Sequence, residues 1–568
     1  MAARAGPLRL FAWRAVGLGI KQRRCISELK RRDISVGINI RLMKCATSDE
    51  LLAVFDVGRK DFDNVNVATA LQRVAKFKGG HTNGADRRLQ DLAKLALSRV
   101  SRKNDKLSAW KARDLASVVH SVAKLGGVEA AEPLFDAVAL EAEKVMSTFN
   151  AQALANTAWA FSTAKVKAPL LFQAIADESL KKLSTFNAQD VANTVWAFSN
   201  AHVAAPKLFD AVAVRAAEIL WQFKSQELAN TVWAFAHSHV HAPELFAAAA
   251  AEGERTIAVL NARDLANVVW AFASLGHQAY NLFDDVAAEA LRKLPQFHGQ
   301  DLSNISWAFA TAGVEAPELF EAVAAEARLK LSTLTPHNLS STAWAFASLD
   351  VAAPELFKGL ARESVRKVSL FKSNDLATVV WAFATNGTSA VKLFEAVAAE
   401  ATANVAAFNP VDASRTVWAF AKAKVRAPAL FTAVSGHARR KIELFDFRTL
   451  ATTAWAFSNA GVEAPELFEA MAKEASKKIS TCEAQDMARL VWAFSRAGFE
   501  APLLFEAIAA EASEKMPSFT NTGLEMLLEA FATAAIEAPS LLEAVRAERA
   551  FRSNERPARI HRPPDPGS

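Results

Sequence analysis

Polar side chains recur at a 37-residue interval along this chain, at three positions whose chemistry changes from one occurrence to the next. Gln189, Asn193 and Asn200 represent the three positions. Amides, hydroxyls and guanidinium groups alternate there, and these groups can hydrogen-bond the exposed edges of unpaired bases. The candidates for base reading are Gln189, Asn193, Asn200, Gln226, Asn230, His237, Arg263, Asn267, Gln300, Asn304, Arg415, Lys422, Arg448, Arg489 and Arg496.

The position of Asn193 has a second interpretation. Amides spaced by 37 residues can also form a hydrogen-bond ladder between stacked helices, because buried polar groups must be satisfied in any stacked array. A ladder and base reading are not exclusive, and the sequence leaves both open.

Pairs of basic residues also recur, at a different place in the 37-residue period. A row of such pairs could follow the phosphates of a nucleic acid. The alternative is that they complement a helix dipole and keep the surface soluble. The phosphate candidates are Lys181, Lys182, Arg292, Lys293, Arg366, Lys367, Arg440, Lys441, Lys477 and Lys478.

Ten tryptophans, from Trp159 to Trp492, repeat at the same 37-residue interval without exception. A helical wheel at about 100° per residue puts them close to the polar positions, so they could stack on bases. Packing between adjacent units is the preferred interpretation, because tryptophan is usually well buried and a row of exposed indoles favours aggregation.

Each period contains two helices that would position these residues. Asn187 with Asp190 resembles a capping box and begins a helix A that ends near Asn200. Ala-Pro then begins a helix B, as in residues 317–332, where proline suits the first turn. No unit of this kind buries its apolar face alone, so the sequence predicts an all-α, right-handed solenoid of about twelve units. Flanking units are degenerate, with His120 and Glu529 at the tryptophan position and a weaker unit around Gln72.

Charge is divided unevenly along the chain. Residues 1–110 carry 23 Lys and Arg against 10 Asp and Glu, 546–568 carry 6 against 3, and the region between carries 37 against 47. We therefore predict a presequence and basic arm at 1–45, a degenerate helical cap at 46–108, the solenoid at 109–545 and a basic, proline-rich disordered tail at 546–568. Any basic groove in the acidic middle region must be local.

The sequence has few signs of catalysis or metal binding. Zinc-protease, phosphate-loop and serine-nucleophile motifs are absent, and the glycine-rich segment 79–84 is interpreted as a linker. The cysteines Cys25, Cys45 and Cys482 form no metal-binding pair, and the histidines around His239 lack accompanying ligands. We predict no catalysis, no metal and no cofactor.

The first 27 residues contain six Lys and Arg and no acid, and a short apolar run is interrupted by Arg14. This pattern predicts an organelle presequence with no membrane anchor. Scarce serine favours the mitochondrial matrix over a plastid. The alternative is a basic arm that stays on the protein and contacts RNA.

The recurring LANTVWAF phrase at 228–235, followed by Ala-Pro-Glu-Leu-Phe, resembles the octotricopeptide-like repeats of organellar RNA-binding proteins. That group includes FAST-kinase leucine-rich proteins, RAP-domain proteins and subunits of the RNA-editing substrate-binding complex. The resemblance covers residues 109 to about 545, although the short tail has no room for a RAP-like domain. It implies binding of single-stranded organellar RNA in transcript stability, processing or editing, with other RNA-processing proteins as further partners. A protein-interaction scaffold of the HEAT or armadillo kind is the alternative, favoured by the acidic middle region.

Overall fold

The computed structural model describes residues 33–77, 86–102 and 110–554, and within these ranges the regular structure is helical, with no strand. The predicted presequence lies mostly outside the described residues, as do the 79–84 segment, Cys25 and most of the predicted tail. A first helix, α1, covers 33–44, and α2 spans Ser48–Gly58.

Helices A and B then alternate. The A helices are α3 Asn64–Lys76, α5 Ala112–Leu125, α7 Ala151–Ala164, α9 Ala188–Asn200, α11 Ser225–His237, α13 Ala262–Ser274, α15 Gly299–Ala312, α17 Pro336–Ser348, α19 Ser373–Asn386, α21 Pro410–Lys422, α23 Phe447–Ala460, α25 Ala484–Arg496 and α27 Asn521–Thr533. The B helices are α4 Arg87–Val100, α6 Ala131–Val145, α8 Pro169–Lys182, α10 Pro206–Ile219, α12 Pro243–Thr256, α14 Tyr280–Lys293, α16 Pro317–Lys330, α18 Pro354–Lys367, α20 Val391–Ala403, α22 Pro428–Arg440, α24 Pro465–Lys478, α26 Pro502–Glu514 and α28 Pro539–Asn554.

The chain forms two compact units, divided between Leu282 and Phe283. In the first unit each A helix from α3 to α13 packs against the next A helix, and the B helices from α4 to α12 form a parallel row. The second unit repeats this arrangement with A helices α15 to α27 and B helices α16 to α28. The predicted all-α solenoid of repeats is confirmed, and the weak unit around Gln72 joins the row as α3.

Local chemistry explains where the helices begin. Asn187 Oδ1 accepts the Asp190 backbone N–H at 2.9 Å, and the Asp190 carboxylate accepts the Asn187 N–H at 3.4 Å. Pro206 occupies the first turn of α10, where its missing N–H leaves no intrahelical bond unmade. The sequence pattern missed one element: most B helices are followed by a three-residue 3₁₀ turn, such as Leu183–Thr185 after α8.

The core lies between the A row and the B row. Val191, Val195 and Phe198 of α9 are fully buried. Phe172 of α8 meets Phe198 edge to face at 5.0 Å between ring centroids, and the same contact recurs between later repeats. Each repeat therefore contributes an aromatic ring to its successor, as a nearest-neighbour array requires. None of the described helices is long and apolar enough to cross a membrane.

Candidate nucleic-acid interface

The A helices from α7 to α25 each expose one narrow stripe. In α9 the exposed or half-buried residues are Gln189, Asn193, Trp196 and Asn200, and the rest of the helix is buried. These positions are spaced by four, three and four residues, which follows one face of an α-helix. The three predicted polar positions and the tryptophans therefore lie on the same face, which we call the A stripe.

The second polar position of the A stripe is asparagine in five consecutive repeats: Asn156, Asn193, Asn230, Asn267 and Asn304. All five side chains are half-buried. Within the described residues their amides make no hydrogen bond to another part of the protein, so the ladder interpretation does not hold for these asparagines. Half-buried amides without protein partners can pair with a ligand.

The third polar position does form links between repeats. Asn200 Nδ2 donates to Ser162 Oγ at 2.8 Å, and Asn459 Nδ2 donates to the Ala421 carbonyl oxygen at 3.2 Å. His237 instead lies flat on Trp233, with 4.6 Å between ring centroids. The ladder that was considered for Asn193 is thus found, in part, one position further along the stripe.

The tryptophans form ladders along the A stripe. Ring centroids of Trp381 and Trp418 are 6.3 Å apart, and those of Trp418 and Trp455 are 6.2 Å apart. Similar spacing of 6.5 Å joins Trp159 to Trp196 in the first unit. These tryptophans pack between adjacent repeats, in agreement with the preferred interpretation of the sequence, because each of these indoles contacts its neighbour. All ten indoles also remain partly exposed, so the same residues offer ring surface to a ligand.

Basic residues replace the neutral ones in the later repeats of the A stripe. Arg415 Nη1 donates to Thr378 Oγ1 at 3.3 Å, and Arg496 lies over the Trp492 ring at 5.1 Å. Lys422 is exposed. The stripe is therefore amide-rich in its early repeats and cationic in its late ones.

Two arginines of the cationic part share one buried acid. Arg448 Nε is 3.3 Å and Arg489 Nη1 is 3.0 Å from the Asp486 carboxylate, and Arg448 also pairs with Glu483 at 2.6 Å. The ion pairs hold both guanidinium groups at the stripe and leave part of each exposed. The Asp486 carboxylate orients both guanidinium groups, and each guanidinium retains N–H donors for a ligand.

The remaining base-reading candidates, Gln226, Arg263 and Gln300, are exposed at the first polar position, near the start of their A helices. His337, in the same position, donates through Nδ1–H to the Asp375 carboxylate at 3.1 Å, and this hydrogen bond raises the pKa of His337. Burial lowers the pKa of His237.

The two members of each basic pair have different surroundings. The first member is largely exposed, as Lys181, Arg366 and Lys477 show with 61–70% of the side chain accessible. Each of them pairs with the glutamate three residues earlier in helix B. Arg292 pairs with Glu289 in the same way, and Arg440 is exposed. These first members are accessible to a phosphate.

The second member fastens one repeat to the previous one. Lys367 Nζ donates to the Ser332 and Leu334 carbonyl oxygens at 2.9 and 2.6 Å and pairs with Glu363 at 2.8 Å. Lys182 and Lys478 make the same contacts with the turn of the preceding repeat. We call this contact the lysine clasp. Lys441 reaches only the Ala406 carbonyl oxygen, at 3.4 Å, and Lys293 pairs with Glu289 at 2.7 Å.

Sequence reasoning missed further clasp residues, because they stand outside a basic pair. Lys330 and Lys515 donate to the preceding turn as Lys367 does. The signal was present, since each lies four residues after a glutamate near the end of helix B. In the repeat of Lys367, hydrogen bonds from Arg366 and Lys367 lower the pKa of Glu363 to about 2, so this glutamate is held as a carboxylate.

Other titratable groups offer little reactivity. Burial raises the pKa of the Cys482 thiol to about 11, which leaves it protonated and unreactive at neutral pH. Cys45 is also buried. In the parts of the chain that the structure describes, no group of three or more His, Cys, Asp and Glu side chains could hold a metal ion.

Comparison with known proteins gives one family. The model of the RNA-editing substrate-binding complex 6 protein matches residues 85–276, 259–458 and 425–555. No curated protein sequence matches the chain significantly.

Two solved structures resemble the chain only distantly. A chain from a homology model of the full-length AP-3 complex in an intermediate open conformation is 10% identical, with 94% of both chains covered and a TM-score of 0.26. A circular tandem repeat protein with novel repeat topology is 13% identical, with 93% of this chain and 100% of that chain covered and a TM-score of 0.16. No argument about function follows from either. The three overlapping matches to the family model, by contrast, run through nearly the whole repeat array, and the chain belongs to the RNA-editing substrate-binding complex 6 protein family.

Proposed function

We propose that the chain binds single-stranded RNA along the A stripe and acts, without catalysis of its own, in an RNA-editing substrate-binding assembly of the mitochondrial matrix. The observation that carries this proposal is the row of half-buried asparagine amides in the first unit, Asn156, Asn193, Asn230 and Asn267, which have no partner within the described residues and lie beside half-exposed indoles. Base edges can pair with the amides while base faces stack on the rings.

Phosphate contacts would come from the exposed first members of the basic pairs. Lys182 donates to the carbonyl oxygen of Phe149, and the next residue, Asn150, caps helix α7. The row of basic pairs, which we call the basic edge, therefore runs past the beginning of the A helices, next to the first polar position of the A stripe. A strand on the stripe has cations along this side of it.

Fluorescence anisotropy with a labelled 20-nucleotide RNA tests the proposal. Changing Asn193, Asn230 and Asn267 together to alanine should weaken binding at least about tenfold, since each lost hydrogen bond costs roughly 0.5–1.5 kcal/mol. The matched control changes three exposed glutamines outside the A stripe, Gln173, Gln222 and Gln296, to alanine, and should leave affinity unchanged within about twofold.

The competing function is a protein-interaction scaffold, which the net negative charge of residues 111–545 favours. If the folded chain of residues 1–568 binds no RNA at moderate salt, the RNA-binding proposal is overturned and the scaffold remains as the alternative. Equal loss of affinity in the asparagine and glutamine variants would show that RNA binds elsewhere on the protein.

The mitochondrial location is tested separately. Residues 1–50 fused to a fluorescent reporter should direct it to mitochondria, because this segment has many arginines and few acids. A matched fusion with Arg4, Arg9 and Arg14 changed to glutamine should stay in the cytosol. Delivery of the parent fusion to plastids, or a diffuse cytosolic signal, would contradict the proposal.

A further inference from the structure

A cavity of about 340 Å³ opens on the A stripe between α3, α5 and α7. It lies where the tryptophan ladder ends, since Gln72 and His120 occupy the tryptophan position in α3 and α5. The His120 ring meets Trp159 edge-on at 4.9 Å, and the indole that would fill the next position is absent. The substitution of smaller side chains therefore creates a pocket in line with the ladder.

Asp114 is the unusual residue in this pocket. It is only 6% exposed, and its carboxylate makes no hydrogen bond within the described residues. Its nearest cation is Arg113 Nε, at 4.0 Å. In α9 the equivalent Asp190 accepts the backbone N–H of its capping residue Asn187, but Lys111, the capping residue of α5, supplies no such contact. A buried carboxylate without donors is costly, and a ligand that brings N–H groups removes the cost.

Apart from Arg113, the other polar residues of the lining are uncharged, and alanines complete it. Gln72, Ser117 and Asn156 border the cavity. Burial lowers the pKa of His120 to about 4, so its ring is neutral at physiological pH and can stack or hydrogen-bond without adding charge. The pocket thus combines one ring, one carboxylate acceptor, the Arg113 guanidinium and several amide or hydroxyl groups, and its volume lies within the range of small-ligand sites.

We propose that this cavity binds one unpaired guanine of the RNA strand on the A stripe, with the guanine N1–H and N2–H₂ groups donating to Asp114. The inference rests on the proposed RNA-binding function. Guanine alone among the four bases places two adjacent donors on its Watson–Crick edge. Adenine and cytosine place an acceptor beside their amino group, which a carboxylate repels, and uracil has a single N–H between two carbonyls. The Gln72 and Asn156 amides in the lining can donate to O6 and N7.

The test compares a 15-nucleotide oligouridine with versions that contain one guanosine or one inosine, which lacks the N2 amino group. The single guanosine should tighten binding to the full chain about tenfold, and inosine should give a smaller gain, because a bidentate pair discriminates by roughly 1–3 kcal/mol. Asp114→Asn should abolish the guanosine effect. The matched control, Asp190→Asn, changes the same capping position in a repeat that has its tryptophan and no pocket, and should retain the effect.

A second variant fills the cavity. His120→Trp restores the missing rung and should remove the guanosine preference while the oligouridine still binds, with circular dichroism confirming the fold. RNA binding with no difference between uridine and guanosine in the parent chain would overturn the pocket and leave the proposed function standing. Absence of binding to any RNA would overturn both.

Free guanosine monophosphate distinguishes a base within a strand from a nucleotide ligand. We expect it to bind at least about a hundredfold more weakly than the guanosine-containing oligonucleotide, because the ladder and basic edge hold the rest of the strand. Equal affinity would replace the strand-linked guanine with a free guanine nucleotide and overturn the proposal in its stated form.

Discussion

Neighbouring basic residues on one helix end have different roles, and substitution should separate them. Lys367 is 13% exposed and donates to two carbonyl oxygens of the preceding turn, whereas Arg366 is 61% exposed. Lys367→Met leaves those carbonyl oxygens without their donor and Glu363 with Arg366 as its remaining cation, and should cost about 1–3 kcal/mol in urea denaturation. Arg366→Met removes an exposed ion pair and should cost less than about 1 kcal/mol.

The same pair should show the opposite order in RNA binding. Arg366→Met removes an accessible cation and should weaken binding of all sequences alike, while Lys367→Met should affect RNA only through stability. Equal destabilisation by the two variants would contradict the lysine clasp.

Trp418 tests whether the ladder both packs and binds. It contacts Trp381 and Trp455 on either side, so Trp418→Ala loses two ring contacts and should lower stability by about 2–4 kcal/mol, below the top of the range for a fully buried aromatic because the indole is partly exposed. RNA affinity should fall as well. Trp221, 72% exposed in a 3₁₀ turn, is the control. Trp221→Ala should change stability by less than about 0.5 kcal/mol and leave RNA binding intact.

At the level of single residues, the sequence was sufficient to predict which residues of helix A are exposed. It was insufficient to predict the hydrogen-bond partners of the basic residues. The changing identity of the Asn193 position and the constant spacing of the tryptophans identified the exposed face of helix A. The acceptors of Lys367 are backbone carbonyls of a turn 33 and 35 residues earlier, and no residue type marks them. The pocket beside Asp114 needed the packing of three helices, although His120 at a tryptophan position was a visible sign of it.

The elements themselves followed from local signals. Capping residues such as Asn187 and prolines such as Pro206 mark where helices begin, and they do so independently of distant contacts. The 3₁₀ turns were missed because three residues are too few for a periodic pattern, and a Leu-Ser-Thr turn has no distinctive residue.

The A and B helices should differ in local stability. In α21 eight residues are buried, among them Val417 and Phe420, because A helices pack more closely on its two sides than B helices pack on the two sides of α20. In α20 only four are buried. Hydrogen–deuterium exchange read by mass spectrometry should therefore show slower exchange in α19, α21 and α23 than in α20 and α22. Equal protection in both rows would mean that each repeat opens as a single unit.

The molecule as a whole should tolerate the deletion of one complete repeat. Deleting residues 373–409 removes α19, α20 and the following turn and joins Lys372 to Pro410, which are the cap of one A helix and the first residue of the next. Because each repeat contacts chiefly its neighbours, α17 would then pack against α21 with the same types of residue at the interface.

We expect the deleted chain to fold with unchanged helicity per residue, and its RNA footprint in nuclease protection to shorten by the share of one repeat. Deleting 391–409 instead removes only helix B and its turn. It takes away Phe394, which meets Phe420 of α21 edge to face, and should cause aggregation. The fold and the interface repeat with the same period, so a deletion in register shortens both together, whereas a half-repeat deletion breaks the core on which the stripe depends. A full-repeat deletion that folds and keeps the parent footprint would separate RNA binding from the A stripe.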